Sequence, residues 1–215
     1  MEKIKSTLPN IVLSLTAICF IAGVILSVAD KYTSNAIAAT KAAELLNAIR
    51  NVTPDFDNNP VDEQFKVAVA ESDSLTVFPA KKGGTWVGSA VESYSKNGFS
   101  GLIRVIVGFD DNGKLVNFSV LEHNETPGLG SKMNEWFRKD KNQQNIIGRD
   151  MTKGTLKVAK DGGDVDAITA ATISTRAFLE AVNLAYSAFA GYTDAVSGAT
   201  TTGGGSSTEE NVTNK

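Results

Sequence analysis

Two short segments of this 215-residue chain carry residue types that can do chemistry. One is Asp166-Ala167-Ile168-Thr169-Ala170-Ala171-Thr172, an acid six positions before a terminal hydroxyl. A threonine hydroxyl is a weak nucleophile at its free pKa, so its attack on a phosphorus needs a base or a metal to take its proton. Asp166 is the candidate: it can hold a divalent cation or orient the hydroxyl of Thr172, while small Ala170 and Ala171 let the backbone approach closely. Ile173-Ser174-Thr175-Arg176 then opens a stretch whose apolar Phe178, Val182, Ala185 and Phe189 recur at helical spacing. Thr172 is thereby expected near a helix N-terminus, where free amides favour a phosphate. The same residue types have a plainer use, because Thr172 or Ser174 acting only as an N-cap contributes about 1 kcal/mol and no chemistry.

The other segment is His123-Asn124-Glu125-Thr126-Pro127-Gly128-Leu129-Gly130. Gly128 and Gly130 permit close approach or a positive φ, and Pro127 stiffens the turn. Taken alone this is a Pro-Gly turn between a strand and a helix. It is preceded by Gly98 to Asp110 and by Leu115 to Leu121, both rich in β-branched residues, with Asp111-Asn112-Gly113 between them as a hairpin signal.

In this order, the two segments resemble the FMN-binding domain family. The run ending at Thr172 is similar to the motif Asp-x-x-(Ser/Thr)-(Gly/Ala)-Ala-Thr. There FMN is coupled through its phosphate to the last threonine, in the FMN-binding subunits of Rnf complexes and of Na+-translocating NADH:quinone oxidoreductases. The upstream loop resembles the H-x-E-T-P-G-L-G segment that ends the family's strand pair. The resemblance implies covalent FMN on Thr172, with Asp166, Thr169, Ala171 and Ser174 around it. It also implies Glu125, Thr126, Leu129 and Gly130 against the isoalloxazine ring or its polar edge.

A second match, Asp194-Ala195-Val196-Ser197-Gly198-Ala199-Thr200, makes Thr200 an alternative acceptor. It is closer to the usual S-G-A-T wording, yet Thr201-Thr202-Gly203-Gly204-Gly205-Ser206-Ser207 follows it, a composition typical of a flexible tail. Thr172 is followed by the helix that the family's acceptor leads, and is the expected site.

What the resemblance implies for function is the G subunit of an Rnf-type complex, moving electrons between reduced ferredoxin and NAD+ with coupled Na+ or H+ movement. This chain would be an electron relay, with other integral and peripheral subunits as partners and a flavin transferase acting during maturation. The C subunit of the Na+-translocating enzyme shares the attachment chemistry, but is usually longer between anchor and hairpin. A reading from another class is a membrane-anchored, non-redox interaction domain whose threonine-rich segments are caps and tails; it predicts a colourless protein.

Composition removes several rivals. Cys19 is the only cysteine and lies in an apolar run, so the rest of the chain has no disulfide, haem-attachment pair or cysteine-ligated cluster. His123 is the only histidine, and no G-x-S-x-G elbow accompanies it; loop packing beside Glu125 is its expected role. No dinucleotide fingerprint appears, so pockets for ferredoxin or NAD belong on other subunits. A net charge of −3 without a basic patch speaks against nucleic acid.

The elements that must position these segments are legible in outline. Ile11 to Ala29 contains no charged residue and, at ~1.5 Å per residue, matches the ~30 Å hydrocarbon core of a bilayer. Lys3 and Lys5 before it predict a cytoplasmic N-terminus, residues 1–10, and export of everything beyond Asp30, on the extracytoplasmic side of the cytoplasmic membrane. Ser27-Val28-Ala29 also has the form of a signal-peptide cleavage site; the length of the run favours an uncleaved anchor. Residues 30–53 form an expected helical stalk with Ile37, Leu45, Leu46 and Ile49, stopping before Pro54. Residues 54–192 are the expected exported FMN-binding domain and 193–215 a tail. Within the domain, Leu75 to Phe78 reads as a short edge strand, Thr85 to Ser95 as a strand, and Lys132 to Arg138 as a short helix. Thr155 to Val158 reads as a further strand, with Lys160-Asp161-Gly162-Gly163 as a turn. The fold class is α+β, one N-terminal transmembrane helix followed by a mixed domain with an antiparallel sheet.

Overall fold

A computed structural model describes residues 8–70 and 73–201. Its first element is helix α1, Leu8–Val52. The stretch Pro9–Val28 has a mean hydropathy of 2.7 and none of it is buried, so among the described residues there is one helix long and apolar enough to cross a membrane. Cys19 lies exposed on it. Lys3 and Lys5, on which the orientation rests, are outside the described residues. The chain divides into two compact units at Leu46, and the second is the folded domain.

The domain is built on five strands, β1 Phe65–Ala70, β2 Asp73–Lys82, β3 Thr85–Gly98, β4 Gly101–Asp110 and β5 Leu115–His123. They pair antiparallel in the order β1-β2-β3-β4-β5. Side chains alternate across a sheet, and here both faces are covered. Leu75, Val77, Val91, Ile103, Val105, Val107 and Phe109 share one core with Phe178, Val182, Ala185 and Phe189 of helix α3, Thr172–Thr201. The helical spacing of those apolar positions is borne out. Phe178 is its anchor: its ring lies parallel to Phe137 with centroids 4.6 Å apart and meets Phe118 edge-on at 5.1 Å.

Phe78, Ala80, Ala90 and Ile106 point the other way and are fully enclosed. The last turns of α1 lie on this face, where Ile49 and Val52 have 0 % exposure. The expected stalk therefore ends inside the domain core, since these apolar residues have a sheet face to bury against. The helix stops at Val52, ahead of Pro54 as the sequence predicts. The docking is close enough to dictate a glycine: a Cβ on Gly108 of β4 would stand 1.8 Å from the Val52 carbonyl oxygen. Asn117 adds a side-chain N–H donated to the Asn51 carbonyl at 2.8 Å. Gly108→Ala is expected to prise the helix end off the sheet at a cost of at least about 2 kcal/mol. Thermal unfolding would show it as a midpoint lowered by roughly 4–8 °C.

Three local expectations are corrected. Leu75 to Phe78 belongs to a longer strand inside the sheet, and the edge beside it is β1, which the sequence reading missed. Thr155 to Val158 is not a strand; only Val158 makes an isolated bridge, to Val165. The Asn183 carboxamide on α3 takes the place of a neighbouring strand, accepting from the Leu156 N–H and donating to its carbonyl, both at 2.8 Å. Helix α3 continues past residue 192 to Thr201, so the backbone of Thr200 is helical. The Thr200 side chain and residues 202–215 are outside what is described.

Candidate functional site

Thr172 is the first residue of α3, as the spacing predicted. Neither candidate cap acts as one. The Ser174 hydroxyl donates to the Glu125 carboxylate, and the Thr172 hydroxyl has no hydrogen-bond partner among the described residues. The first turn is held instead by Thr175, fully buried, whose hydroxyl accepts the Ile168 N–H at 3.1 Å and donates to the Ala171 carbonyl at 3.0 Å. Thr172 thus keeps a free oxygen on a segment whose backbone is tied down.

The other predicted segment is brought to the same place. Glu125, 4 % exposed, accepts from the Ser100 N–H at 3.0 Å as well as from Ser174. It clasps the β3–β4 turn, the Gly-rich loop and the start of α3 together. Glu125 was expected against the flavin ring; its oxygens are engaged in this clasp, although the residue still lines the adjoining hollow. Gly130 passes so near that a Cβ there would lie 2.5 Å from Ser174 Oγ and 2.7 Å from Glu125 Oε2. No larger residue fits without opening the clasp. His123 packs in the loop as anticipated, its Nδ1 accepting the Glu125 N–H at 3.2 Å.

Thr172 stands between two hollows. One, about 330 Å³, is walled by Glu125, Thr126, Leu129 and Gly130 on one side and Ala170 to Ser174 on the other, with Phe99 at its rim. Phe99, Leu129 and Ile173 are 67 %, 38 % and 49 % exposed, and outside α1 they are the exposed large hydrophobics among the described residues. Apolar surface gathered at one pocket marks a binding site. Phe99 escaped the sequence reading. The available signal was a large aromatic in the two-residue turn between Gly98 and Gly101, where asparagine or glycine is usual.

The other hollow, about 490 Å³, is the more polar of the two and includes Lys141, Lys160, Asp166, Thr169 and Thr172. Asp166 does not reach out as a free carboxylate: its Oδ2 accepts the Gln143 N–H at 3.1 Å, and its own N–H returns to the Gln143 carbonyl at 2.9 Å. Trp136 Nε1 donates to the Asp166 carbonyl at 2.9 Å. Asp166 therefore moors the segment that ends at Thr172. No group of acidic, histidine or cysteine side chains able to hold a metal occurs among the described residues. A hollow of about 610 Å³ along α3, lined by Leu156 and Asn183, is larger, and the hydroxyl on its wall, that of Ser187, already donates to the Asn183 carbonyl at 3.1 Å.

Ala170 explains the small residue in the motif. It has φ +61°, a left-handed conformation that costs a residue with a Cβ roughly 1–2 kcal/mol. Ala170→Gly removes that strain and gives back about 0.4–1 kcal/mol in chain entropy. A net stabilisation of about 0.5 kcal/mol is expected, visible as a small rise in denaturant midpoint at unchanged slope.

Comparison with known proteins agrees with this geometry. The FMN-binding domain family matches residues 98–187, from the tip of the β3–β4 turn through the Thr172 segment into α3. The residues around both hollows therefore lie within an FMN-binding domain. The chain is 33 % identical over 165 residues to the G subunit of the ion-translocating oxidoreductase complex of Yersinia pestis, covering 73 % of this chain and 78 % of the relative. It is 34 % identical over 162 residues to the protein of the same description from Vibrio parahaemolyticus, covering 70 % and 74 %. With that of Shewanella amazonensis the figures are 31 % over 189 residues, covering 83 % and 86 %. The chain belongs to the family of ion-translocating oxidoreductase complex G subunits.

Proposed function

We propose that this chain is an FMN-carrying electron-transfer subunit of a membrane-bound, Rnf-type ferredoxin:NAD+ oxidoreductase, with FMN held on Thr172 as a phosphodiester. The observation that carries the reading is the position of Thr172. Its unengaged hydroxyl lies at a helix N-terminus, between an apolar hollow of ring-binding character and a polar hollow bearing two lysines. The residues present fit the group. Leu129, Ile173 and Phe99 offer apolar contact to a flat ring, and the free amides at the start of α3 suit a phosphate. FMN supplies the redox chemistry when bound; the chain orients it, shields one side from water and fixes its distance from neighbouring centres.

Helix α1 anchors the domain to the cytoplasmic membrane in this reading, with the domain on the extracytoplasmic side, where a covalent link prevents loss of the cofactor. Other integral and peripheral subunits are the electron partners, and a flavin transferase makes the link. Coupled movement of Na+ or H+ belongs to the complex. The test is the intact mass and in-gel flavin fluorescence of the chain purified from its host. An adduct of one FMN less one water, resistant to denaturation, is expected. Unmodified, colourless protein from cells with a competent transferase overturns the reading.

A further inference from the structure

Three independent peculiarities of the domain converge on the polar hollow beside Thr172. The Oε1 of Gln144, a residue only 5 % exposed, is buried with no hydrogen-bond partner among the described residues, and Gln144 lines the hollow. Leaving a buried acceptor unpaired is costly, so an orphan at a cavity wall marks a place where a donor is supplied from outside. Asn142 and Ala170, the described non-glycine residues with positive φ, at +51° and +61°, line it as well. Such strain gathers at ligand sites. Finally, Lys141 and Lys160 contribute to its wall. Neither is within salt-bridge distance of an acid among the described residues, Lys160 acts on neighbouring Asp161 only through its charge, and the Asp166 carboxylate on the same wall is engaged by the Gln143 N–H.

We infer that this hollow is the seat for the anionic, hydroxyl-bearing end of the ligand: the phosphate beside Lys141 and Lys160, and an adjoining polyol hydroxyl donating to Gln144. The inference rests on the proposed attachment at Thr172 and adds what that reading leaves open, namely the residues that select a phosphorylated flavin over a non-phosphorylated one. The division of labour follows from the walls. A ring prefers the side of Phe99, Leu129 and Ile173, and an anion cannot be desolvated there without a partner. Two ammonium groups on the other side supply charge-assisted contacts.

The test uses the full chain in detergent, produced without a flavin transferase so that Thr172 is unmodified. FMN and riboflavin are each titrated by fluorescence quenching. FMN is expected to bind about tenfold more tightly than riboflavin. Inorganic phosphate should compete with FMN and leave riboflavin unaffected. The preference should fall to less than about threefold in Lys141→Gln/Lys160→Gln, whereas Gln144→Met should weaken both flavins alike. Circular dichroism of each variant checks that it is folded. Equal binding of the two flavins, a preference that survives loss of both lysines, or no saturable binding of either at millimolar concentration overturns the inference. The attachment reading fails separately: phosphate preference without a covalent adduct in transferase-containing cells removes the tether and keeps the seat. An adduct without the preference does the reverse.

Discussion

Thr172→Ala is expected to give a folded, membrane-extractable protein with no covalent flavin at all. The effect should be complete, because no neighbouring hydroxyl can take over. Ser174 is committed to Glu125, and Thr175 is fully buried between Ile168 and Ala171. Thr169, exposed on the polar hollow, precedes the helix and lacks its amides. Stability should change by less than about 1 kcal/mol, since the Thr172 hydroxyl is not serving as a cap whose loss would be felt. Intact mass, flavin fluorescence and a thermal melt measured together separate this from trivial misfolding. Thr200→Ala should retain the adduct. An adduct that survives Thr172→Ala and vanishes with Thr200→Ala would move the cofactor to the second motif, and the apolar rim around Phe99 would lose its meaning.

The largest loss of stability is expected at Phe178. Its ring is fully enclosed between Phe137 and Phe118, and Phe137 in turn belongs to the segment following helix α2, Met133–Trp136. Phe178→Ala removes contacts with both neighbours and leaves a cavity that the sheet cannot collapse to fill, costing about 3–5 kcal/mol. Thermal unfolding should fall by roughly 6–20 °C, a large part of a domain's ordinary margin. Phe178→Leu, which keeps most of the volume, should cost less than half as much. The consequence reaches function because Phe178 stands less than two turns beyond Thr172: a loosened α3 presents the acceptor poorly, and flavin loading of Phe178→Ala should drop in parallel with its melting temperature. Full loading in a variant destabilised by several kcal/mol would show that attachment precedes, or ignores, the packing of this helix.

Much of the site was legible because its chemistry is local. The threonine proposed as acceptor, the helix that follows it and the Gly-rich loop each occupy a few consecutive residues, and the hairpin before the loop announces itself through Asp111-Asn112-Gly113. The residues that remained hidden act across long sequence separations. Ser100 meets Glu125 from another strand turn, Phe99 lines the same apolar hollow as Ile173, and Gln144 becomes conspicuous only because its Oε1 is buried without a partner among the described residues. Asp166 shows the reverse case. Its residue type suggested a metal or a hydroxyl to orient, and only the fold reveals that a backbone N–H claims its carboxylate.

Periodicity and composition by themselves determined the apolar N-terminal helix, the α+β class and the inward face of α3, since hydrophobic spacing and turn chemistry act over one or two turns of chain; the proposed acceptor segment came from its resemblance to a family motif. Tertiary structure alone decided that the end of α1 is core and not stalk. It also decided that an asparagine side chain stands in for a strand beside Leu156, and that Thr172 divides an apolar hollow from a more polar one bearing two lysines. Those outcomes depend on which surfaces find each other after collapse, and burial, close approach at Gly108 and Gly130, and the pairing of distant polar groups have no signature in any single stretch of sequence.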